Sequence, residues 1–228
     1  MSQIKRLQTI DADTLQSTAY EPVSFVVDDL LPQGLHLLAG APKIGKSWLA
    51  LWLCLCAAQG KPLWTFATHP CEALYLCLED SFQRIQSRLF DLTEDAPPTL
   101  HFAVMSQQLH NGLVEQIEQF LKEHPQTRLI VIDTLQRIRT VGNDANPYAS
   151  DYRDIGVLKA LADKHRIACY VPATYIPSAV LLESKFDGTL LVDEIAHSCL
   201  GIQVCTSSLV RLGSVCSTPR AMSRTAVR

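Results

Sequence analysis

The chain has 228 residues, of which 47% are hydrophobic and 19% charged, and its formal net charge is -3. This length suits one α/β domain with a short appendage, and the composition excludes wholesale disorder and a strongly basic surface over the whole chain. No apolar run is long enough to span a membrane, and residues 1–16 contain no signal-peptide core. We therefore expect a cytoplasmic protein without a membrane partner.

Apolar runs that predict buried strands alternate with stretches of helical spacing. After a loosely held leader over residues 1–21, strands are predicted at 35–39, 73–78, 100–104, 129–132 and 167–171, and helices at 47–59, 82–90, 114–122 and 152–164. Residues 137–150 are polar and rich in turn formers, which predicts a loop. Strands that are apolar throughout predict an α/β fold with a mainly parallel sheet covered by helices on both faces.

A glycine-rich segment joins the first predicted strand of this sheet to the first helix. It matches the phosphate-loop pattern in full with Gly40, Ala41, Pro42, Lys43, Ile44, Gly45, Lys46 and Ser47. The backbone N–H groups of such a loop surround phosphate oxygens, and the helix N-terminus attracts negative charge. We expect residues 40–48 to bind ATP, with Lys46 also acting in catalysis, and the alternative is a glycine turn with an unrelated lysine.

Acidic residues end two later strands of the predicted sheet. Asp133 follows the strand at 129–132, and we expect it to hold Mg²⁺ together with Ser47. Glu79 follows the strand at 73–78 and is a candidate base for the attacking water, with Asp80 as its rival. The alternative for both Glu79 and Asp80 is a favourable position at the N-terminus of the helix that Ser81 caps.

These motifs resemble the RepA-type AAA-family ATPases of plasmids and mobile elements, which are relatives of the RecA-like and hexameric DnaB-like helicases. The resemblance extends over about residues 22–168 and rests on segments 31–47, 74–80, 131–135, 146–148 and 151–152. It implies a RecA-like P-loop NTPase fold, Glu79 as the catalytic carboxylate, ATP and Mg²⁺ as ligands, a hexameric ring, and action on single-stranded DNA in replication.

The pattern departs from this family after residue 168. Residues 169–177 contain no histidine or glutamine that could sense the γ-phosphate, and Pro172 and Pro177 are expected to interrupt the strand and its exit. We therefore assign residues 22–171 to the ATPase core and 172–228 to an atypical tail, with a strand at 189–192. A change of reading frame near Ala168 is the hypothesis that explains the departure.

Several other side chains have two interpretations. Arg137 and Arg139 could contact DNA or lie on a solvated loop, and Arg84 and Arg88 could clamp phosphate or form a solvated helix face. Trp48 and Trp52 are interpreted as core, the eight cysteines as small buried hydrophobes, and the seven histidines as having no spacing for zinc.

The sequence predicts an enzyme that hydrolyses ATP in the replication of a mobile element. One alternative is a non-catalytic ATP-binding module or remnant that lost its sensor segment. Another alternative is a small-molecule kinase that uses the same loop, although neither an acceptor pocket nor an arginine-rich lid is evident.

Overall fold

Helices and strands alternate along most of the chain, as the apolar pattern predicts. A computed structural model describes residues 7, 9–40, 42–139, 147–173, 189–192 and 202–205. In chain order, the strands are β1 (Phe25–Val27), β2 (Leu31–Pro32), β3 (Gly34–Ala39), β4 (Glu72–Cys77), β5 (Leu100–Ala103), β6 (Thr127–Asp133), β7 (Ala168–Ala173), β8 (Thr189–Val192) and β9 (Ile202–Cys205). The helices are α1 (Ala12–Ser17), α2 (Lys46–Gln59), α3 (Phe82–Leu92), α4 (Val114–Glu123), α5 (Leu135–Ile138) and α6 (Pro147–His165).

One large sheet organises the fold. Its strand order is β5-β4-β6-β7-β3-β8-β9, and every neighbouring pair is parallel except β8 with β9. Strands β1 and β2 form a separate antiparallel pair. The predicted α/β class with a mainly parallel sheet is confirmed. In this order, β7 lies between the strand that precedes the glycine-rich loop and the strand that ends at Asp133.

Two apolar cores lie on opposite faces of this sheet. Helices α2 and α3 supply residues to one core, and α4, α5 and α6 supply residues to the other. Successive residues of β6 alternate between the two, since Leu129 belongs to the first core and Ile130 to the second. Burial on both faces explains why the strands are apolar at every position.

The ends of two helices follow the expected local signals. Gly60 adopts φ 65° after α2, and its N–H donates to carbonyls in the last turn, which ends the helix there. The hydroxyl of Ser81 accepts a hydrogen bond from the N–H of Arg84 at 3.4 Å and caps α3.

The loop predicted over residues 137–150 is wrong at both ends. Helix α5 includes Arg137 and Ile138, and α6 begins at Pro147 instead of residue 152. Proline is favourable at the start of a helix because its fixed φ suits the first turn and no N–H is needed there. The turn-forming residues at 142–146 lie outside the described residues.

The expected interruption at Pro172 does not occur, because β7 continues to Ala173 in the middle of the sheet. The N–H of Gly34 donates to the carbonyl of Ile167 and that of Gly40 to the carbonyl of Ala173, so the backbone groups of alternate residues from 167 to 173 face β3. The backbone of Pro172 therefore faces β6. Pairing with β6 extends only from Ala168 to Tyr170, so the missing N–H breaks no ladder bond.

The N-terminal end of the chain contributes little to the described cores. Helix α1 in the predicted leader has no buried residue. In the predicted tail, the strand expected at 189–192 is confirmed as β8. Most other tail residues lie outside the described part of the chain. The hypothesis of a changed reading frame therefore remains a prediction. The five cysteines whose side chains are described are free, and Cys54, Cys56, Cys77 and Cys169 are buried as expected, whereas Cys71 is only half-buried.

Candidate active site

The glycine-rich loop folds back between β3 and α2. The N–H of Gly40 donates to the carbonyl of Ala173 at 3.2 Å, and Lys46 Nζ donates to the carbonyl of Gly40 at 2.7 Å. Lys43 and Gly45 adopt φ of 66° and 99°, and at the second position glycine avoids the strain that a side chain would impose. The loop backbone and the first turn of α2 therefore face the same space.

The remaining loop residues differ in exposure. Pro42 and Lys43 are exposed, Ile44 is half-buried, and Ala41 lies outside the described residues. Partial burial lowers the pKa of Lys46, and the negative charge of Asp133 partly offsets this effect.

Ser47 and Asp133 lie close together, although β7 separates β3, which leads into the loop before Ser47, from β6, which ends at Asp133. The two side chains are joined by a hydrogen bond, and Tyr75 on β4 donates its hydroxyl proton to Asp133 Oδ2 at 2.8 Å. Asp133 is only 6% exposed. The arrangement places one hydroxyl and one carboxylate at the start of α2, and hard oxygen ligands of this kind suit Mg²⁺.

Burial raises the pKa of Asp133 above its ordinary value of 3.8, and the nearby Glu79 and Asp80 add to the increase. The hydrogen bonds from Ser47 and Tyr75 act in the opposite direction. A divalent cation would remove the cost of this buried negative charge. Asp133 is therefore a residue that could hold a metal ion.

The two rival carboxylates beyond β4 have different surroundings. The side chain of Asp80 is 11% exposed and lies 3.1 Å from Arg84 Nη1 and 2.5 Å from Arg88 Nη1. The side chain of Glu79 is 51% exposed. Its Oε1 accepts a hydrogen bond from Thr134 Oγ1 at 3.3 Å and lies 3.5 Å from Arg137 Nε. The carboxylate of Asp80 thus forms ion pairs with two arginines, whereas the carboxylate of Glu79 is accessible to a water molecule.

The interpretation of Trp48 as core is wrong, since this residue is 40% exposed. The guanidinium carbon of Arg88 lies 5.5 Å from the centre of the Trp48 ring. Arg88 therefore connects Asp80 to the first turn of α2 and is not part of a solvated helix face. The side chain of Arg84, in contrast, is 65% exposed. Trp52 packs partly buried against the core, as expected.

The two arginines beyond β6 are not equivalent. Arg137 lies beside Glu79, as described above. Arg139 Nε lies 3.1 Å from Oδ2 of the buried Asp154 on α6, so its side chain has a structural role and the interpretation as a solvated loop residue is wrong.

A cavity of about 140 Å³ is lined by Ser47, Cys77, Glu79, Asp80, Arg84, Arg88 and Asp133. It lies at the carboxyl ends of the parallel strands, where ligands bind in open α/β sheets. Its volume is below that of a typical cavity for a whole ligand, which indicates space for a phosphate group and a metal ion. A larger cavity of about 450 Å³ lies at the amino ends of the strands, beside Arg128 and Arg166, away from these groups.

Sequence reasoning missed Tyr75 and Thr134 as members of this site. Tyr75 is the only residue of β4 between Glu72 and Cys77 with a polar group on its side chain. A hydroxyl inside an otherwise apolar strand is a signal for a buried partner. Thr134 directly follows Asp133, and its contact with Glu79 depends on the pairing of β4 with β6.

The strand–loop–helix geometry with Lys46 and Ser47 defines a P-loop nucleoside-triphosphate-binding protein. A family model described as an AAA domain matches residues 2–172, which is most of the chain, and the chain therefore belongs to the AAA domain family.

A solved structure titled "ATPase Domain of G40P" is similar to this chain with a TM-score of 0.49 and 14% sequence identity. The match covers 62% of this chain and 57% of that one, so the chain corresponds to little more than half of the solved domain. No curated protein matches the chain. Among the described residues, no helix has the length and apolarity needed to cross a membrane.

Proposed function

We propose that this chain is a Mg²⁺-dependent ATPase that binds ATP on residues 40–48 and hydrolyses it with Glu79 as the base. One observation carries the proposal: Lys46, Ser47, Asp133 and Glu79 converge on one end of the sheet from three different segments. Each supplies a group that hydrolysis of a phosphoanhydride needs.

The chemistry follows from the positions of these side chains. The carboxylate of Glu79 accepts a proton from water, the water oxygen bonds to the γ-phosphorus, and the bond from that phosphorus to the bridging oxygen of ADP breaks. Lys46 and the N-terminus of α2 stabilise the charge that develops on the phosphate oxygens. Ser47 and Asp133 would hold Mg²⁺, which when bound neutralises charge on the β- and γ-phosphates.

The specific class we propose is the RepA-like ATPase of plasmids or other mobile elements, acting on single-stranded DNA in replication as a hexameric ring. Membership of the AAA domain family supports the ATPase part. The motifs over residues 31–47, 74–80 and 131–135 support the RepA-like part. Light scattering of the purified chain with ATP and with a single-stranded oligonucleotide tests ring formation, and a chain that stays monomeric with both ligands argues against the ring.

The decisive experiment measures release of inorganic phosphate from ATP by the purified chain, with Lys46→Ala and Lys61→Ala as a matched pair. Each variant removes one lysine at an end of α2, but only Lys46 lies in the first turn, whereas Lys61 is exposed beyond the last turn. We expect loss of turnover in Lys46→Ala and near-normal turnover in Lys61→Ala. Equal turnover in Lys46→Ala and the parent chain would refute the proposal.

The end of β7 favours a second candidate, a non-catalytic ATP-binding module. This strand lies directly between β3 and β6, and the carbonyl of Ala173 bonds to Gly40 at the start of the loop. Among the described residues, the end of this strand offers the side chains of Pro172 and Ala173, neither of which can hydrogen-bond to a phosphate. The second candidate predicts that the chain binds ATP tightly and that Glu79→Gln has the same slow turnover as the parent.

A further inference from the structure

Three potential metal ligands meet at the end of the sheet opposite to the glycine-rich loop. Glu72 is the first residue of β4, His101 lies on β5, and His124 immediately follows α4. One ligand atom from each of the three lies within 4.8 Å of both others, and the closest described approach is 3.7 Å between His124 Nδ1 and Glu72 Oε2. The even spread of histidines along the sequence gave no indication of this cluster.

Polar atoms of this cluster are buried without a hydrogen-bond partner among the described residues. They are Glu72 Oε2 and His101 Nε2. Thr127 pairs in register with Glu72, and its buried hydroxyl also lacks a hydrogen-bond partner. Leaving a buried polar group without a hydrogen-bond partner destabilises the fold, and the effect is larger when the group is charged. The burial of several such atoms in one place indicates that a ligand satisfies them.

The backbone holds the cluster in position. The N–H of His124 donates to Phe120 at 2.8 Å, and the carbonyl of His124 accepts from Thr127 at 3.1 Å. The ring of Phe120 stacks on His124 at 4.3 Å and meets His101 edge-on at 5.3 Å. These contacts restrict the two imidazoles before any ligand arrives, which lowers the entropy cost of binding.

We infer that Glu72, His101 and His124 form a binding site for a divalent first-row transition metal, with Zn²⁺ as the best fit. Two imidazole nitrogens and one carboxylate are a common ligand set for such ions, whereas Mg²⁺ and Ca²⁺ prefer oxygen ligands. Bonds of about 2.0–2.2 Å require the ligand atoms to lie about 3.4 Å apart, so small side-chain rotations close the site.

The three ligand residues are half-buried, and a tetrahedral ion held by them would take a water molecule as its fourth ligand. Burial lowers the pKa of His101, and the neighbouring His124 adds to this effect. The neutral imidazole is the form that binds metals. Because the site connects β4, the edge strand β5 and the end of α4, metal binding stabilises this end of the sheet independently of nucleotide.

The test uses the purified full chain, free of nucleotide and treated with a chelator, and Zn²⁺ or Co²⁺ alone as the probe. Isothermal titration gives the affinity and stoichiometry for the parent, Glu72→Gln, His101→Gln and His124→Gln. The matched control is His69→Gln, which removes an exposed histidine paired with Asp28. We expect one ion per chain and no change of affinity in the control. In the three variants the affinity should fall at least about 100-fold, because loss of a ligand has a larger effect than loss of a residue that only hydrogen-bonds to a ligand.

A second measurement needs no variant and therefore does not depend on their folding. The Co²⁺ complex of the parent is examined by visible absorption and by paramagnetic NMR. Two strongly shifted imidazole N–H signals without a thiolate charge-transfer band support the site. A thiolate band, no binding, or equal affinity in the parent and all three variants overturns it.

Discussion

At the scale of single residues, Asp133 has the most demanding position in the candidate site. It is a carboxylate with little exposure, and it relies on Ser47 and Tyr75 for hydrogen bonds. Removing one partner of a buried charged group costs more than removing an exposed pair, because the group that remains is left without compensation.

The stability of the nucleotide-free chain is expected to depend on pH through Asp133. The pKa of this group is raised in the folded state, so between 3.8 and the raised value the folded chain binds more protons than the unfolded chain. The stability that protonated Asp133 contributes is present below 3.8 and is lost as the pH rises through the raised pKa. We therefore expect the free energy of unfolding of the parent to decrease, relative to that of Asp133→Asn, as the pH rises from 4 to 7. Urea unfolding at several pH values measures this difference. A constant difference between the two chains contradicts this.

Tyr75→Phe tests the partner of the same carboxylate. Loss of a hydrogen bond to a charged group is expected to lower the free energy of unfolding by about 1.5–3 kcal/mol. Tyr20→Phe, which removes a hydroxyl from an exposed side chain, is the control and should have no effect. Urea unfolding at pH 7 measures both, and equal stability of the two variants would show that the bond to Asp133 contributes nothing.

The different surroundings of Glu79 and Asp80 predict different kinetics for their amide variants. Glu79→Gln should lower the rate of hydrolysis by about 10²–10⁴-fold with nucleotide affinity retained, because a general base is lost. Asp80→Asn should change the rate only a few-fold but destabilise the fold, because Arg88 loses its partner. Single-turnover assays and thermal unfolding separate the two effects, and the opposite order of rates would make Asp80 the base.

The sequence could indicate individual ligands but could not choose between neighbouring ones. The glycine-rich loop has a fixed local pattern, so Lys46 and Ser47 are evident from spacing alone. Glu79 and Asp80 are adjacent in the chain, and only their contacts in the fold distinguish them, since Asp80 pairs with two arginines of α3 and Glu79 does not. Glu72, His101 and His124 are brought together by strand pairing and helix packing, which no local pattern encodes.

At the scale of elements, the strands were the easiest to predict, because burial on both faces makes each one a continuous apolar run. The start of α6 was missed because Pro147 is common both in loops and in the first turn of helices. Pro172 was misjudged for a related reason. A proline breaks a ladder only if its backbone faces a paired neighbour, and the direction it faces depends on register.

Two glycines in or beside helices should respond to alanine in opposite directions. Gly60→Ala places a side chain at φ 65° and 3.3 Å from Pro70, so we expect a loss of about 1 kcal/mol or more in the free energy of unfolding. Gly156 lies in α6, and apart from its chain neighbours and the backbone of its own helix no described atom lies within 4 Å of the Cβ that Gly156→Ala adds, so a gain of about 0.5–1 kcal/mol is expected. Chemical denaturation measures both, and a loss in Gly156→Ala would show contacts that the fold does not predict.

At the scale of the whole molecule, the two sites use opposite ends of the same strands. The candidate ATPase site lies at the carboxyl ends of β4 and β6. The proposed transition-metal site lies at the amino ends of β4 and β5, beside the end of α4. Because a parallel sheet keeps all its carboxyl ends on one side, the two ligand sets do not share residues.

The leader should contribute little to overall stability, since α1 buries no residue. Deletion of residues 1–18 is expected to change the melting temperature by less than about 2 °C, which corresponds to less than about 1 kcal/mol for a domain of this size. Ile85→Ala in the core shows that the assay is sensitive, with an expected loss of about 2–5 kcal/mol. A drop after deletion as large as that of Ile85→Ala would assign the leader to the folded core.

The position of β7 has a consequence for engineering. Its last two residues, Pro172 and Ala173, lie between β3 and β6, and their side chains carry no functional group. A substitution at either position would place a new functional group between these two strands. Variants with glutamine or histidine at one of the two positions therefore allow the acquisition of a γ-phosphate sensor to be followed one substitution at a time.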